Sequence, residues 1–130
     1  MIPAGLALAA ALMIVPPPAP PAHTVSEPWQ PEVRAVFDEF PDWVSRFGWC
    51  VVNHESIHDG YWKAENPVST ASGAFQYLDG TWRAHAARAG VQGWRRASSA
   101  PPVAQAYVFA WNVRHGAARA WSGTSCGYGT

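Results

Sequence analysis

The residues best suited to chemistry lie in the segment His54-Glu55-Ser56-Ile57-His58. Glu55 falls near the C-terminal end of a mostly apolar helical pattern, where the helix dipole disfavours a carboxylate. Neighbouring Trp and Val side chains are expected to exclude water and to raise the carboxyl pKa further. A carboxyl group that stays protonated near neutral pH can donate a proton to a leaving group. Glu55 is therefore the first candidate for a general acid.

The same segment also matches the H-E-x-x-H pattern, in which two His one helical turn apart bind zinc and the Glu acts as a general base. The surrounding sequence fits this pattern poorly. Asp59-Gly60 ends the helix directly after the second His, and Ala64 stands where an extended zinc motif places its third ligand. The acids that follow belong to no recognisable ligand motif; they are Asp59, Glu65 and Asp79. We therefore assign no metal ligand and expect no cofactor, and a small zinc metallopeptidase is the weaker alternative.

Several further motifs follow Glu55 along the chain. Residues 69–77 read S-T-A-S-G-A-F-Q-Y, and the later positions are Thr81, Trp82, Gln105, Ala106, Trp111, Gly116, Trp121 and Cys126. This order resembles the lysozyme-like superfamily, in which E-S precedes a loop of the type S-x-A-S-G-A-[YF]-Q-F and then T-W. The chain resembles the resuscitation-promoting-factor and transglycosylase-like domains of actinobacteria. Their helix carries a cysteine shortly before the catalytic Glu, and this chain has Cys50 there. The resemblance covers residues 43–126.

The resemblance implies a lysozyme-like fold and an enzyme that cleaves peptidoglycan glycan strands. The scissile bond would be the β-1,4 link between N-acetylmuramic acid and N-acetylglucosamine, with Glu55 as the single catalytic residue of a muramidase or lytic transglycosylase. Gln76 matches a polar cleft position of the family. The residues that we expect to contact the sugar are Gln76, Tyr77, Asn66, Trp82 and Trp121.

One segment departs from the family's pattern. The family usually has E-S-G-G, whereas this chain has E-S-I-H-D-G, which displaces the helix exit toward Gly60. The cleft wall beside Glu55 is therefore expected to differ, and an inactive lysozyme-like module that binds the cell wall is the alternative function. A hydrolase would need a second carboxylate, and the nearest candidates are Asp59 and Glu65. We interpret Asp59 as a turn residue and Glu65 as an exposed charge.

Apolar residues at helical spacing predict four helices and a short final turn. These run from Pro31 to Phe40, from Pro41 to Ser56, from Asp79 or Thr81 to Gly90, from Ser99 to His115, and around Trp121. Residues 61–78 lack a helical period and contain turn-forming residues. We therefore predict an α+β, mostly α fold, with a small irregular β element between the second and third helices.

The N-terminus carries a targeting pattern. Residues 4–15 form an apolar run, which is typical of a signal-peptide core and shorter than the about 20 residues of a transmembrane helix. We predict a signal peptide or N-terminal anchor over residues 1–22, the end of a Pro-rich linker over 23–28 and the catalytic domain over 29–130. The protein is then secreted to the cell envelope. An even cysteine count in an exported chain suggests a disulfide between Cys50 and Cys126, with two unpaired thiols as the alternative.

The composition excludes other classes of protein. Nine Lys plus Arg balance nine Asp plus Glu, so nothing favours a nucleic-acid partner. A hydrophobic content of 48% excludes an intrinsically disordered chain. All nine acids lie at or before Asp79, so the later part of the chain is basic and suited to an anionic cell wall. We expect peptidoglycan glycan strands as the partner, no stable membrane insertion after signal removal, and a monomer.

Overall fold

The helices coincide closely with the apolar periodicity of the sequence. A computed structural model describes residues 29–57 and 60–127, so the predicted targeting segment and linker lie outside the described residues. The described helices are α1 (Pro31–Phe37), α2 (Asp42–Glu55), α3 (Asp79–Ala89) and α4 (Pro102–Arg114), with the 3₁₀ helices η1 (Tyr61–Lys63), η2 (Ala97–Ser99) and η3 (Ala117–Thr124). None of the helices in this part of the chain has the length and apolar character needed to cross a membrane.

Proline and glycine set several of the helix limits. Pro31 and Pro102 occupy the first positions of α1 and α4, where a backbone N–H has no partner within the helix. α3 ends at Gly90, whose φ of 77° lies in the left-handed region that favours glycine. Asp79 lies in the first turn of α3, where the helix dipole favours a negative charge. These local signals explain why the predicted helix limits lie close to the observed ones.

The segment between α2 and α3 contains almost no strand. Among the described residues, its β structure consists of two isolated antiparallel bridges, Glu65 with Ser72 and Ser72 with Tyr77. The N–H of Ser72 donates to the carbonyl oxygen of Tyr77 over 2.9 Å, and the N–H of Tyr77 donates back over 3.0 Å. Residues 73–76 form the turn between them. The prediction of a mostly helical chain is confirmed, and the β element is smaller than expected.

α4 lies at the centre of the packing and contacts α1, α2, α3 and η3. Its buried Phe109 stacks on Phe75 with ring centroids 3.9 Å apart, and Trp121 of η3 meets Phe109 edge-on at 4.8 Å. Gly48 allows α2 to approach, because a Cβ at this position would lie 3.1 Å from the Phe109 ring. The core therefore includes Phe75 from the 73–76 turn, and this contact fixes the turn against the helices.

A disulfide joins Cys50 to Cys126, with Cα atoms 5.9 Å apart. The predicted disulfide is thus confirmed. Cys50 lies on α2, five positions before Glu55, and Cys126 follows the end of η3. The bond therefore fixes the C-terminal part of the chain to the helix that carries the candidate acid.

Candidate active site

Glu55 is the last residue of α2, and its side chain is half-buried. Burial raises the pKa of the Glu55 carboxyl, and the charge of the adjacent His54 lowers it by a smaller amount. The C-terminal end of the helix places further partial negative charge beside this group. The protonated fraction of Glu55 at neutral pH is therefore larger than that of an exposed Glu, as a general acid requires.

Ser56 connects the end of α2 to the turn. Its buried hydroxyl donates to the carbonyl oxygen of Ala74 over 2.7 Å. The indole Nε1–H of Trp121 donates to the next carbonyl oxygen, that of Phe75, over 2.8 Å. Ser56 and Trp121 thus hold the carbonyl groups of two consecutive residues, Ala74 and Phe75. Gln76 follows directly after them.

Gln105 of α4 holds the turn from the other side. Its Oε1 accepts from the N–H of Ala74 over 3.0 Å, and its Nε2 donates to the carbonyl oxygens of Trp62 and Ala100, each over 2.9 Å. Gly73 has a φ of 80°, and a Cβ there would lie 2.5 Å from Oε1 of Gln105. The buried amide therefore fixes the turn, and only a glycine fits at position 73.

Gln76 projects out of this fixed turn. It is the one half-buried residue of 71–77, whose other members are buried, and its φ of 52° is left-handed. Its Nε2 donates to the carbonyl oxygen of Gly73 over 3.1 Å. This bond orients the side chain, and the amide oxygen has no hydrogen-bond partner among the described residues. The structure thus places Gln76 partly exposed on this turn, and its expected contact with a sugar stays a prediction.

A cavity of about 160 Å³, which we call the Gln76 pocket, adjoins this side chain. Its lining residues are Gln76, Tyr77, Leu78, Thr81, Ala120 and Trp121. Leu78 is 50% exposed, so an apolar surface borders the pocket. Trp121 is only 6% exposed, so little of its ring is available for stacking on a ligand. The pocket combines an apolar wall with an amide, so it can bind a small ligand that has both apolar and polar groups. Glu55 does not line the Gln76 pocket. It is connected to the pocket through Ser56, which bonds to the turn that carries Gln76.

Tyr77 lines the Gln76 pocket, but its hydroxyl points into the protein. The Tyr77 oxygen lies 2.9 Å from Nδ1 of His85, and both side chains are buried. Burial raises the pKa of Tyr77 well above its usual range, and burial together with the charge of Arg88 lowers the pKa of His85. A neutral phenol can therefore donate to a neutral imidazole. Tyr77 forms part of the pocket wall rather than supplying a free hydroxyl.

The structure corrects one of the expected sugar contacts. Trp82 has no exposed surface, and its indole N–H donates to the carbonyl oxygen of Trp94 over 2.9 Å. Its ring is part of the core because the first turn of α3 faces inward at this position.

Asn66 is half-buried and accepts the N–H of Val68 over 2.9 Å, a local turn bond. It does not line the Gln76 pocket.

Glu65 has other partners than a substrate. Its carboxylate accepts the Ser98 hydroxyl over 2.6 Å and pairs with Arg96 at 2.9 Å. Arg96 also pairs with Asp79 at 3.0 Å, so this exposed network fastens the segment after α2 to the region before α4. Asp59, the other candidate second carboxylate, lies outside the described residues.

The described residues give little support to the predicted alternative of a zinc site. His54 is exposed, and His58 lies outside the described residues. Among the described residues, the group most like a set of metal ligands consists of an imidazole nitrogen of His54 and the sulfurs of Cys50 and Cys126. These atoms all lie within 4.8 Å of one another. These sulfurs are bonded to each other, so neither is the thiolate that zinc binds.

Three buried polar residues support the site without having been predicted to do so: His85, Gln105 and Asn112. In the sequence, Gln105 is only a position that matches the family's motif order. His85 and Asn112 have no sequence signal beyond being polar residues within a helical pattern. Their bonds join residues 4 to 43 positions apart in the chain. A single sequence does not display such pairings.

The chain was compared with protein-family models, with curated proteins and with solved structures, and no match was found in any of the three comparisons.

Proposed function

We propose that this protein cleaves the glycan strands of peptidoglycan at the β-1,4 bond between N-acetylmuramic acid and N-acetylglucosamine. The observation that carries the proposal is the placement of Glu55. It is a half-buried carboxyl with a raised pKa at the end of α2, joined through Ser56 to the turn that presents Gln76. The motif order E-S, S-G-A-F-Q and T-W around it supports a lysozyme-like assignment.

In the proposed reaction Glu55 donates its proton to the bridging oxygen as the bond from that oxygen to the muramic anomeric carbon breaks. The oxygen leaves as the hydroxyl of N-acetylglucosamine, and Glu55 becomes a carboxylate. That carboxylate then removes a proton from the group that attacks the anomeric carbon. Gln76 would hold the acetamido group of the substrate through its free amide oxygen.

Mass spectrometry of digested peptidoglycan tests the function directly. We expect wild-type protein to release fragments with muramic ends. The alternative, an inactive wall-binding module, would sediment with purified walls and release no fragments. Sedimentation without any fragment release would therefore contradict the proposed cleavage.

We predict that the product carries a 1,6-anhydro-muramic end. None of the described residues that line the Gln76 pocket carries a carboxylate, and Glu65 is bound by Arg96 and Ser98. The substrate's own acetamido group can stabilise the oxocarbenium-like transition state. The 6-hydroxyl of the same muramic residue is already positioned, so its attack competes well with that of water. Digestion in ¹⁸O-labelled water should leave the muramic ends unlabelled. Label at a reducing muramic end would identify water as the acceptor and the enzyme as a hydrolase.

We predict that EDTA leaves the cleavage rate unchanged and that His58→Ala has little effect. The proposed acid acts without a metal, and the sulfurs near His54 are held in a disulfide. Metal analysis of the purified protein should accompany the rate measurement. Zinc at one atom per chain, lost together with activity in the His58 variant, would instead support the metallopeptidase.

A further inference from the structure

A second cavity, of about 320 Å³, lies where the ends of α3 and α4 meet the start of η3. We call it the Arg88 pocket, and its lining residues are Arg88, Trp111, Asn112, His115, Gly116 and Ala117. It shares no lining residue with the Gln76 pocket, and the proposed cleavage step does not use it.

The two pockets are aligned because the same two elements line both. α3 contributes Thr81 to the Gln76 pocket and Arg88 to the Arg88 pocket, and η3 contributes Ala120 and Ala117 in the same order. Seven residues of α-helix span about 10 Å, and three residues of 3₁₀ helix span about 6 Å. Residues seven apart on an α-helix and three apart on a 3₁₀ helix share a side, so the two linings lie about 6–10 Å apart along the same side of α3 and η3. We call the surface that joins them the groove.

His85 lies beneath this groove and connects the pockets. Its ring lies 5.2 Å from that of Tyr77 and 6.3 Å from that of Trp121, both in the Gln76 pocket. Its backbone carbonyl oxygen accepts the side-chain N–H of Asn112 over 3.0 Å, and Asn112 lines the Arg88 pocket. Since His85 and Asn112 are both buried, the relative position of the two pockets is fixed by the core.

The Arg88 pocket has the chemistry of an anion site next to an aromatic platform. The rings of Trp111 and His115 stack at 3.9 Å, and Nδ1 of His115 donates to the Trp111 carbonyl oxygen over 2.7 Å. Arg88 is exposed, and no carboxylate of the described residues forms an ion pair with it. No acid follows Asp79 in the sequence. A guanidinium group in such surroundings binds a carboxylate well.

We propose that the Arg88 pocket binds the terminal carboxylate of a peptide stem of peptidoglycan while a sugar of the same fragment occupies the Gln76 pocket. This inference rests on the proposed function, which brings the polymer to the groove. An uncharged sugar ring would make no use of Arg88, whereas a stem brings both a carboxylate and flat amide groups for the ring pair. An extended peptide spans about 3.3–3.6 Å per residue, so two or three stem residues cover the distance between the pockets.

Binding is best measured by calorimetry on the full chain carrying Glu55→Gln, which should hold fragments without cleaving them. The probes are a disaccharide with a three-residue stem, the same disaccharide with a one-residue stem, and a disaccharide with no stem. We expect the three-residue stem to bind most tightly. Adding Arg88→Gln should weaken its binding about tenfold and leave the stemless disaccharide unaffected. Arg83→Gln is the matched control, because Arg83 is exposed on the same helix and lines neither pocket.

Equal binding of the three-residue fragment by the Arg88 and Arg83 variants would overturn the inference, as would no saturable binding of that fragment. An equal loss for the stemless disaccharide would also overturn it, since the carboxylate recognised would then be the lactyl group of the sugar. Failure of the proposed function has a different signature, because protein with Glu55 intact would then release no fragments. In the cleaving protein, Arg88→Gln should raise KM for stem-bearing strands and leave kcat unchanged.

Discussion

Replacing Glu55 by Gln is expected to lower the rate of glycan cleavage by about 10²–10⁴-fold, which is the usual contribution of a positioned acid or base. Gln keeps the shape of the side chain and can still form hydrogen bonds, but its amide is not acidic enough to protonate the leaving oxygen. The rate of fragment release from purified walls is the measurement. A Gln variant that cleaves at nearly the wild-type rate would show that another group is the acid.

The matched control for this substitution is Glu65→Gln. It removes the same charge from an exposed carboxylate whose partners are Arg96 and Ser98, so we expect nearly unchanged activity. A comparable loss in both variants would indicate that Glu65 is a second catalytic carboxylate. Circular dichroism should confirm that each variant is folded.

The pH dependence gives an independent check on the same residue. Because burial raises the pKa of Glu55, its protonated form persists to higher pH than that of an exposed Glu. Acid catalysis should therefore decline as pH rises through this raised pKa, and the residual activity of the Gln variant should lack that decline. The stability contribution of Glu55 has the same sign, since it is fully present at low pH and is lost as pH rises through the raised pKa. At neutral pH the Gln variant should thus be at least as stable as wild type.

Loss of the disulfide is the second large effect that we expect. The paired change Cys50→Ser and Cys126→Ser should lower the free energy of unfolding by about 4 kcal/mol, because the bond closes a loop of 76 positions in the unfolded chain. Denaturant titration of the variant, and of wild type with and without reductant, measures this difference. An unfolding free energy that is unchanged in the variant would show that the bond contributes nothing to stability.

Activity should fall together with stability in the disulfide variant. Thr124 accepts the N–H of Cys126 over 3.3 Å and donates to the carbonyl oxygen of Trp121 over 2.7 Å, so the bond supports the end of η3. Without it, Trp121 should hold the Phe75 carbonyl less firmly, and the Gln76 pocket should widen. We therefore expect a raised KM even at temperatures where the variant remains folded.

Local sequence signals were sufficient for the helices. The apolar stripe around Val33 and Phe37 and the glycine at position 90 predicted elements that the structure contains at nearly the same limits. The predicted disulfide needed only the count of cysteines and the prediction that the chain is exported. Each of these predictions depends on residues a few positions apart or on composition alone.

The same signals could not decide which aromatic residues face a ligand. Trp82 and Trp121 both have helical spacing and the same chemistry, yet one is fully buried and the other lines a pocket. The difference comes from distant partners, since the indole of Trp82 bonds to Trp94 and that of Trp121 to Phe75. Periodicity identifies the side of a helix that faces the core. It does not show where the core ends and a cleft begins.

The contact between Gly73 and Gln105 has a consequence for the evolution and engineering of this protein. These two positions, 32 apart in the sequence, constrain each other, because any side chain at 73 would displace the Gln105 amide that orders the turn. Among relatives, we expect substitutions at 73 and 105 to occur jointly or not at all. A designer who transplants the 72–77 turn into another scaffold must therefore transplant a buried glutamine on a facing helix with it.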